Sequence, residues 1–209
     1  MTRRNILLMG LASATLLAAA PGLRLVSVAR AQELLIYDDD RILGSPDAPI
    51  TIIEYSSLTC PHCASFHKDT LPQLKKEWIE TGLARLVYRH FPFDRLGLRA
   101  ALVANCLEGK LHFVFLEALF KGQEKWARSQ DPIGSLARIA GLAGMDKSTF
   151  DACIADEDEM KIILERKQEG INAYDINSTP SFIINGRKVT GARPYEDFKK
   201  VLDEILSQT

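Results

Sequence analysis

The chain has 209 residues, and its 26 basic and 27 acidic residues almost balance, at a formal net charge of −1. Residues 1–31 hold four of the arginines and no acid, which leaves 22 basic against 27 acidic residues in the rest of the chain. That surplus of negative charge argues against nucleic acid or an anionic membrane surface as a partner. The length after residue 31 suits one domain with its own core, enlarged by an insertion.

The N-terminus has the pattern of an export signal. Arg3 and Arg4 precede an apolar stretch over residues 6–20, and Ala29-Arg30-Ala31 offers small residues for cleavage, so residues 1–31 are predicted to be a signal peptide. The arginine pair also resembles a twin-arginine signal, which leaves that route open beside the general secretory one. An uncleaved anchor is disfavoured because proline, glycine and arginine interrupt the stretch before a span of ~20 residues. We expect a periplasmic protein with no stable membrane insertion after cleavage.

The first half of the remaining chain alternates strand, helix and strand. A turn at 44–49 precedes a β-type run at 50–56. A helix is predicted over 61–80, with Pro72 as a kink inside it. Residues 83–89 alternate like a second strand.

A helical block follows, and the chain then returns to strand. Capping and apolar periodicity predict five helices, at 96–107, 111–127, 133–142, 148–155 and 157–173. Asn185-Gly186 between two short β-type runs, 181–184 and 188–190, is typical of a hairpin. An amphipathic helix over 195–207 ends the chain.

This order of elements predicts an α/β protein with a thioredoxin-like fold. Parallel strands need a helical crossover, so the first strand, helix and strand form a βαβ unit whose sheet the late hairpin extends. Residues 32–95 and 174–209 are predicted to form a discontinuous thioredoxin-like domain. Residues 96–173 form an all-helical domain inserted after the first βαβ unit.

The motif Cys60-Pro61-His62-Cys63 lies where the first strand meets the first helix. A thiol at a helix N-terminus meets partial positive charge, which lowers its pKa and makes it reactive. Two thiols at this spacing can interconvert between dithiol and disulfide, so the motif predicts a redox-active pair that needs no other cofactor. We expect Cys60 to be the exposed, attacking thiol and Cys63 the buried, resolving one, with Pro61 and His62 tuning the pKa of Cys60.

Two other interpretations of the motif stay open. Its thiols and imidazole could ligate zinc or copper, with His67 as a fourth ligand, in a periplasmic metal-binding chaperone. A zinc site usually recruits a second spaced pair, which the chain does not offer, so no metal site is predicted. An inert structural disulfide is the other alternative.

Cys106 and Cys153 form the second pair of cysteines, and both fall on predicted helices of the insertion. In an exported chain with an even cysteine count, a structural disulfide is favoured over two separate buried thiols. Closing a loop of ~47 residues would stabilise the fold by at most about 4 kcal/mol.

The chain resembles the DsbA family of exported thiol:disulfide oxidoreductases. The resemblance is carried by Glu54 six residues before Cys60, the CPHC tetrapeptide, the helical insertion and Thr179-Pro180 before a strand. It implies an oxidase that donates the Cys60–Cys63 disulfide to reduced or unfolded exported proteins through a mixed disulfide on Cys60. A membrane partner like DsbB would then reoxidise it.

The resemblance also implies roles for three residues outside the motif. Glu54 would lie buried under the site and help to move a proton from the resolving cysteine, although its strand position alone equally allows a solvated edge. Pro180 would be cis, with Thr179 beside it binding substrate; a plain strand-start proline is the alternative. Because threonine at this position is commoner among isomerases, a disulfide isomerase or reductase stays open. His67, His90 and His112 have no partner motif and are expected at the surface or in helix packing.

Overall fold

A computed structural model of the chain describes residues 34–208. The predicted signal peptide lies outside these residues. None of the helices within residues 34–208 is both long and apolar enough to cross a membrane.

One five-stranded sheet forms the centre of the fold, in the order β1-β3-β2-β4-β5. The strands are β1 Arg41–Leu43, β2 Ile50–Ser56, β3 Ala84–His90, β4 Ser181–Ile184 and β5 Arg187–Thr190. β2 and β3 are parallel, whereas β4 pairs antiparallel with β2, and β5 antiparallel with β4. The predicted βαβ unit and the hairpin in the same sheet are therefore confirmed.

The edge strand β1 was not predicted from the sequence. It pairs antiparallel with β3 over only three residues, which is too short for an alternating pattern to show. At the other edge, Asn185 and Gly186 both take positive φ angles, of 42° and 87°. This is the backbone that a tight hairpin requires and that Asn-Gly tolerates best.

The crossover between β2 and β3 alternates α-helical and π-helical turns. Its segments are α1 Pro61–Ser65, a π turn Phe66–Thr70, α2 Leu71–Leu74 and a second π turn Lys75–Ile79. Pro72 has no N–H to donate, and the N–H of Leu71 bonds to the carbonyl of Phe66, five residues back. The predicted interruption at Pro72 thus takes the form of widened turns within a continuous helical path.

Six helices separate β3 from β4, where five were predicted. They are α3 Arg95–Asn105, α4 Gly109–Lys121, α5 Gln123–Ala127, α6 Pro132–Leu142, α7 Lys147–Ile154 and α8 Glu157–Tyr174. The single helix predicted at 111–127 is wrong, because Gly122 takes a ψ of 3° and ends α4 before α5 begins. Glycine favours such a break because its helix propensity is the lowest of all residues except proline. The last helix, α9, is Tyr195–Leu206.

Aspartates set the start of four of these helices. In each case the carboxylate accepts a hydrogen bond from the backbone N–H three residues later, which satisfies one of the open donors of the first turn. The four caps are Asp94 of α3, Asp131 of α6, Asp146 of α7 and Asp156 of α8. The punctuation of the helical block is thus fixed by local sequence.

A disulfide joins Cys106, at the end of α3, to Cys153 in α7. The structure therefore has the bridged pair and not two separate thiols. It closes a loop across 47 positions of the sequence. Because a cross-link of this span restricts the unfolded chain, it stabilises the helical block by at most about 4 kcal/mol.

β2 is buried along its whole length, so both faces of the sheet carry a core. On one face the π-helical crossover and α9 cover Ile50 and Ile52. On the other face Tyr55 packs against Tyr174 at the end of α8. The helices from α3 to α7 build a third core, and it reaches Cys60 and Cys63.

Two helical glycines should respond oppositely to alanine. A Cβ on Gly170 would lie 2.5 Å from Cε1 of the buried Tyr55, whereas a Cβ on the exposed Gly141 meets nothing within 4 Å. We expect Gly170→Ala to lower the free energy of unfolding by about 1–3 kcal/mol through overpacking. Gly141→Ala should raise it by about 0.5–1 kcal/mol, because alanine restricts the unfolded chain. Urea titration measures both, and equal effects of the two changes would contradict the packing of α8 on Tyr55.

Candidate active site

The cysteine motif begins at the turn between β2 and α1. Cys60 is the N-cap of α1, with extended backbone (φ −81°, ψ 119°), and Pro61 fills the first helical position. The N–H of Cys60 bonds to the carbonyl of Ser57 at 3.1 Å, which closes the turn. This conformation places the Cys60 sulfur over the open N–H groups of the first helical turn, those of His62 and Cys63.

Both thiols of the motif are free and buried. Cys60 is 5% exposed and Cys63 is fully covered. The predicted contrast between an exposed Cys60 and a buried Cys63 is therefore wrong in degree. The cause is the helical block, whose core packs directly over the pair and leaves little of the first thiol uncovered.

Fixed donors lower the pKa of Cys60 to about 5. The largest contribution is a hydrogen bond from the Cys63 thiol, and burial opposes it; the Thr179 side chain and the N–H groups of Cys63 and His62 add to the lowering. In the thiol form, Cys60 Sγ donates to the carbonyl oxygen of Thr179 at 3.4 Å. The buried environment thus provides partners for both protonation states.

The pKa of the second thiol shifts in the opposite direction, because burial dominates there. Burial raises the pKa of Cys63 well above the ordinary value, and the neighbouring Cys60 reinforces that rise. At neutral pH the stable state of the reduced pair is therefore a thiolate on Cys60 and a thiol on Cys63. A thiolate is the reactive form of cysteine, and a thiol of low pKa leaves a disulfide more readily, so this asymmetry favours Cys60 for both parts.

The two central residues of the motif contribute differently from the prediction. Pro61 and His62 are both exposed. The contribution of His62 to the low pKa of Cys60 comes from its backbone N–H, whereas the sequence pointed to its imidazole.

Glu54, on β2, is fully buried, so the solvated-edge alternative is wrong. Its Oε1 is 2.9 Å from Nε2 of His67, which is itself buried. His67 stacks on Phe120 of α4 with ring centroids 3.9 Å apart. Nε2 of His67 is thus paired with a carboxylate.

Sequence reasoning missed this pairing of His67, although one signal was present. His67 follows Cys63 by four residues, so both lie on the buried face of the crossover helix. A histidine on such a face must find a polar partner. The partner itself comes from another strand and could not be named from spacing.

Three buried polar side chains, those of Glu54, Ser56 and Tyr88, lie on the paired strands β2 and β3 near Cys63. Within the described part of the chain, Glu54 Oε2 and the hydroxyls of Ser56 and Tyr88 are buried without a hydrogen bond of good geometry. Ser56 interacts with both Cys63 and Tyr88, and the charges of Glu54 and Cys63 both raise the pKa of Tyr88, after burial as the main cause. Unpaired polar groups in an interior are costly, so a cluster of them beside a reactive thiol indicates function.

The loop before β4 completes the site. Thr179-Pro180 is a cis peptide bond, and the carbonyl of Thr179 is the one that Cys60 Sγ contacts. The chain thus brings residues 119 positions apart against each other. This is the arrangement expected of the late proline, and a plain strand-start proline does not describe it.

Gln123 was also missed, and it touches the motif directly. Its Nε2 donates to the carbonyl oxygens of Leu58 and Cys60, both at 2.9 Å. Gln123 continues the buried stripe of Leu119 and Phe120, so a polar residue on an apolar face was the available signal.

His90 and His112 are buried, so the expected role in packing is confirmed and the surface position is wrong. His90 Nε2 contacts Asn105 Oδ1 at 3.0 Å, and His112 Nδ1 contacts the carbonyl of Ala104 at 2.9 Å. Burial lowers the pKa of His90 to about 3 and that of His112 to about 4. Both imidazoles are neutral at physiological pH and serve the packing between β3, α3 and α4.

Comparison with known proteins places the chain in a family. The thioredoxin family model matches residues 37–204. The chain therefore belongs to the thioredoxin family. Within that family it is DsbA-like: the crystal structure of Wolbachia pipientis alpha-DsbA1 matches with a TM-score of 0.78 and 35% sequence identity, over 84% of this chain and 94% of that one.

Other relatives agree with this placement. A Rickettsia felis relative named as a protein-disulfide oxidoreductase is 31% identical over 82% of this chain and 62% of its own length. The chain thus spans about three fifths of the rickettsial relatives that it matches. BdbD from Bacillus subtilis has the same fold, with a TM-score of 0.71 at 22% identity, over 81% of this chain and 94% of that chain.

The split between the two thiols predicts how the reduction potential depends on pH. With Cys60 ionised above pH about 5 and Cys63 protonated, reduction takes up one proton for two electrons. We expect the potential to fall by about 30 mV per pH unit between pH 6 and 8. Glutathione equilibria across that range measure it.

The same asymmetry fixes the stability of the reduced protein. The pKa of Cys60 in the fold lies below that of an unfolded thiol, about 8.5. The stabilising contribution of Cys60 is therefore complete above pH about 8.5 and is lost as pH falls through about 5.

For the reduction potential, a slope near 60 mV per pH unit, the two-proton value, would show that Cys60 is not ionised between pH 6 and 8.

Proposed function

We propose that this protein is a periplasmic thiol oxidase, which donates the Cys60–Cys63 disulfide to newly exported proteins. The observation that carries the proposal is the opposite pKa shift of the two buried thiols. Stabilising the Cys60 thiolate favours the reduced form, so the oxidised form becomes a stronger disulfide donor. The predicted signal peptide at 1–31 supports an oxidising compartment, in which such a donor is useful.

The reaction proceeds by two exchanges. A client thiolate attacks Cys60 Sγ, the Cys60–Cys63 bond breaks, and Cys63 leaves as a thiolate that takes up a proton. A second client thiolate then attacks the client sulfur of the mixed disulfide, and Cys60 leaves as the stable thiolate. The client gains one disulfide, and the protein holds the two electrons as a dithiol. A membrane partner like DsbB would remove those electrons.

Glu54 supports the first exchange as the proton source for Cys63. The pKa of Cys63 is raised by burial, so its thiolate is a poor leaving group unless a proton arrives with it. Glu54 is the buried carboxyl of the polar group that Ser56 and Tyr88 complete near Cys63. In reoxidation the proton returns along the same groups.

A client polypeptide has room beside the motif. A groove of about 330 Å³ is lined by Thr59, Pro61 and Gln123. The Thr179 carbonyl at the sulfur offers main-chain hydrogen bonding to an extended segment.

An isomerase or reductase of the same fold is the second candidate, and Thr179 beside the Cys60 sulfur favours it. The two functions differ in redox potential. We expect the potential of the Cys60–Cys63 pair to lie well above that of thioredoxin, about −270 mV. Oxidised protein should introduce disulfides into a reduced two-cysteine peptide, and Cys60→Ser should abolish the reaction. A potential near that of thioredoxin, with refolding of scrambled ribonuclease, would favour the isomerase.

The proton role of Glu54 makes a separate prediction. Glu54→Gln keeps the size of the side chain and a partner for His67, but it removes the group that can give and take back a proton. We expect the rate of mixed-disulfide formation to fall by roughly tenfold to 100-fold at neutral pH, since general acid catalysis contributes at that scale or above. Stopped-flow fluorescence with a reduced peptide measures it. The exposed Glu165→Gln is the matched control, and an unchanged rate for Glu54→Gln would refute the role.

A further inference from the structure

Gln123 joins the helical block to the reactive cysteine through two hydrogen bonds. It is the first residue of α5, and it is 5% exposed. Its amide nitrogen donates at 2.9 Å to the carbonyl oxygens of Leu58 and Cys60, 65 and 63 positions away. Both protons of one NH₂ group are therefore used on the turn that carries the nucleophile.

The turn is otherwise held from its outer side. The hydroxyl of Thr59 donates to Asp94 Oδ2 at 2.6 Å, and the same aspartate caps α3. The N–H of Ala64 bonds to the Cys60 carbonyl at 3.1 Å as the first helical bond of α1. Gln123 completes this set from the interior, where it supplies a donor to the Leu58 carbonyl and a second donor to the Cys60 carbonyl.

These contacts act on the N-cap conformation of Cys60. The sulfur reaches the N–H groups of His62 and Cys63 only while the Cys60 backbone stays extended at the helix start. Gln123 also places positive amide hydrogens against the carbonyl of the residue that bears the thiolate. A neutral disulfide gains nothing from either effect, whereas the thiolate gains from both.

We propose that Gln123 is a positioning residue that sets the redox properties of Cys60. It does so by clamping the carbonyls of Leu58 and Cys60 from the helical block. The inference deepens the proposed oxidase function and rests on it for its biological meaning. It is tested by the difference in Cys60 pKa and in reduction potential between a variant and the parent protein, so it does not depend on the absolute potential of the parent.

The decisive variant is Gln123→Met, which keeps the length of the side chain and removes both donors. We expect the pKa of Cys60, followed by thiolate absorbance at 240 nm, to rise by about one unit. The equilibrium constant with glutathione should shift about tenfold toward the oxidised protein, or about 30 mV. Gln168→Met is the matched control, because Gln168 is exposed on α8 and should change neither value.

Two further variants separate positioning from general damage. Gln123→Lys restores donors to the carbonyls, so the pKa of Cys60 should stay at or below the parent value. Gln123→Asn is one carbon shorter and cannot reach both carbonyls. It should raise the pKa of Cys60 by an intermediate amount, which is a fall of about threefold in the acid constant. This variant carries the same test if the methionine variant does not fold.

The outcome that overturns the inference is a purely structural one. The thermal unfolding temperatures of the oxidised and reduced variant would then fall by equal amounts, while its Cys60 pKa and its glutathione equilibrium match those of the parent. A parent potential near that of thioredoxin would refute the oxidase function alone. The role of Gln123 would still be decided by the difference between variant and parent.

Discussion

The central constraint of this fold is that a thiolate must be stable where water hardly reaches. Cys60 is 5% exposed, and burial by itself would raise the pKa of its thiol. Hydrogen-bond donors fixed in the fold reverse that effect: the Cys63 thiol, the Thr179 side chain and the first N–H groups of α1. Of these donors only Thr179 lies far from Cys60 in the sequence, and the others belong to the motif itself at the start of α1.

The helical block contributes more than cover for the site. Its core continues into Cys60 and Cys63, its α4 stacks Phe120 on His67, and its α5 places Gln123 on the carbonyls of the cysteine turn. The disulfide between α3 and α7 restrains the same block from behind. A change in the helices would therefore alter the surroundings of the Cys60 sulfur through direct contacts.

The buried polar side chains near Cys63 destabilise the interior locally. Glu54 and His67 form a buried pair, and the hydroxyls of Ser56 and Tyr88 lie beside them without good partners. Such groups weaken an interior relative to apolar side chains. Their position near a thiol whose pKa is raised by burial supports the proposed role of Glu54 in moving the proton of Cys63.

The sequence by itself determined the local features: β2 and β3, the Asn185-Gly186 hairpin, the four aspartate caps, and the thiol pair at a helix start. Each depends on residues within a few positions, so spacing and residue type suffice. The tertiary structure decided what crosses the chain: the burial of Cys60, the partner of His67, the clamp of Gln123 and the short edge strand β1. Those contacts join residues up to 65 positions apart in the case of Gln123, and no local pattern encodes which of them will meet.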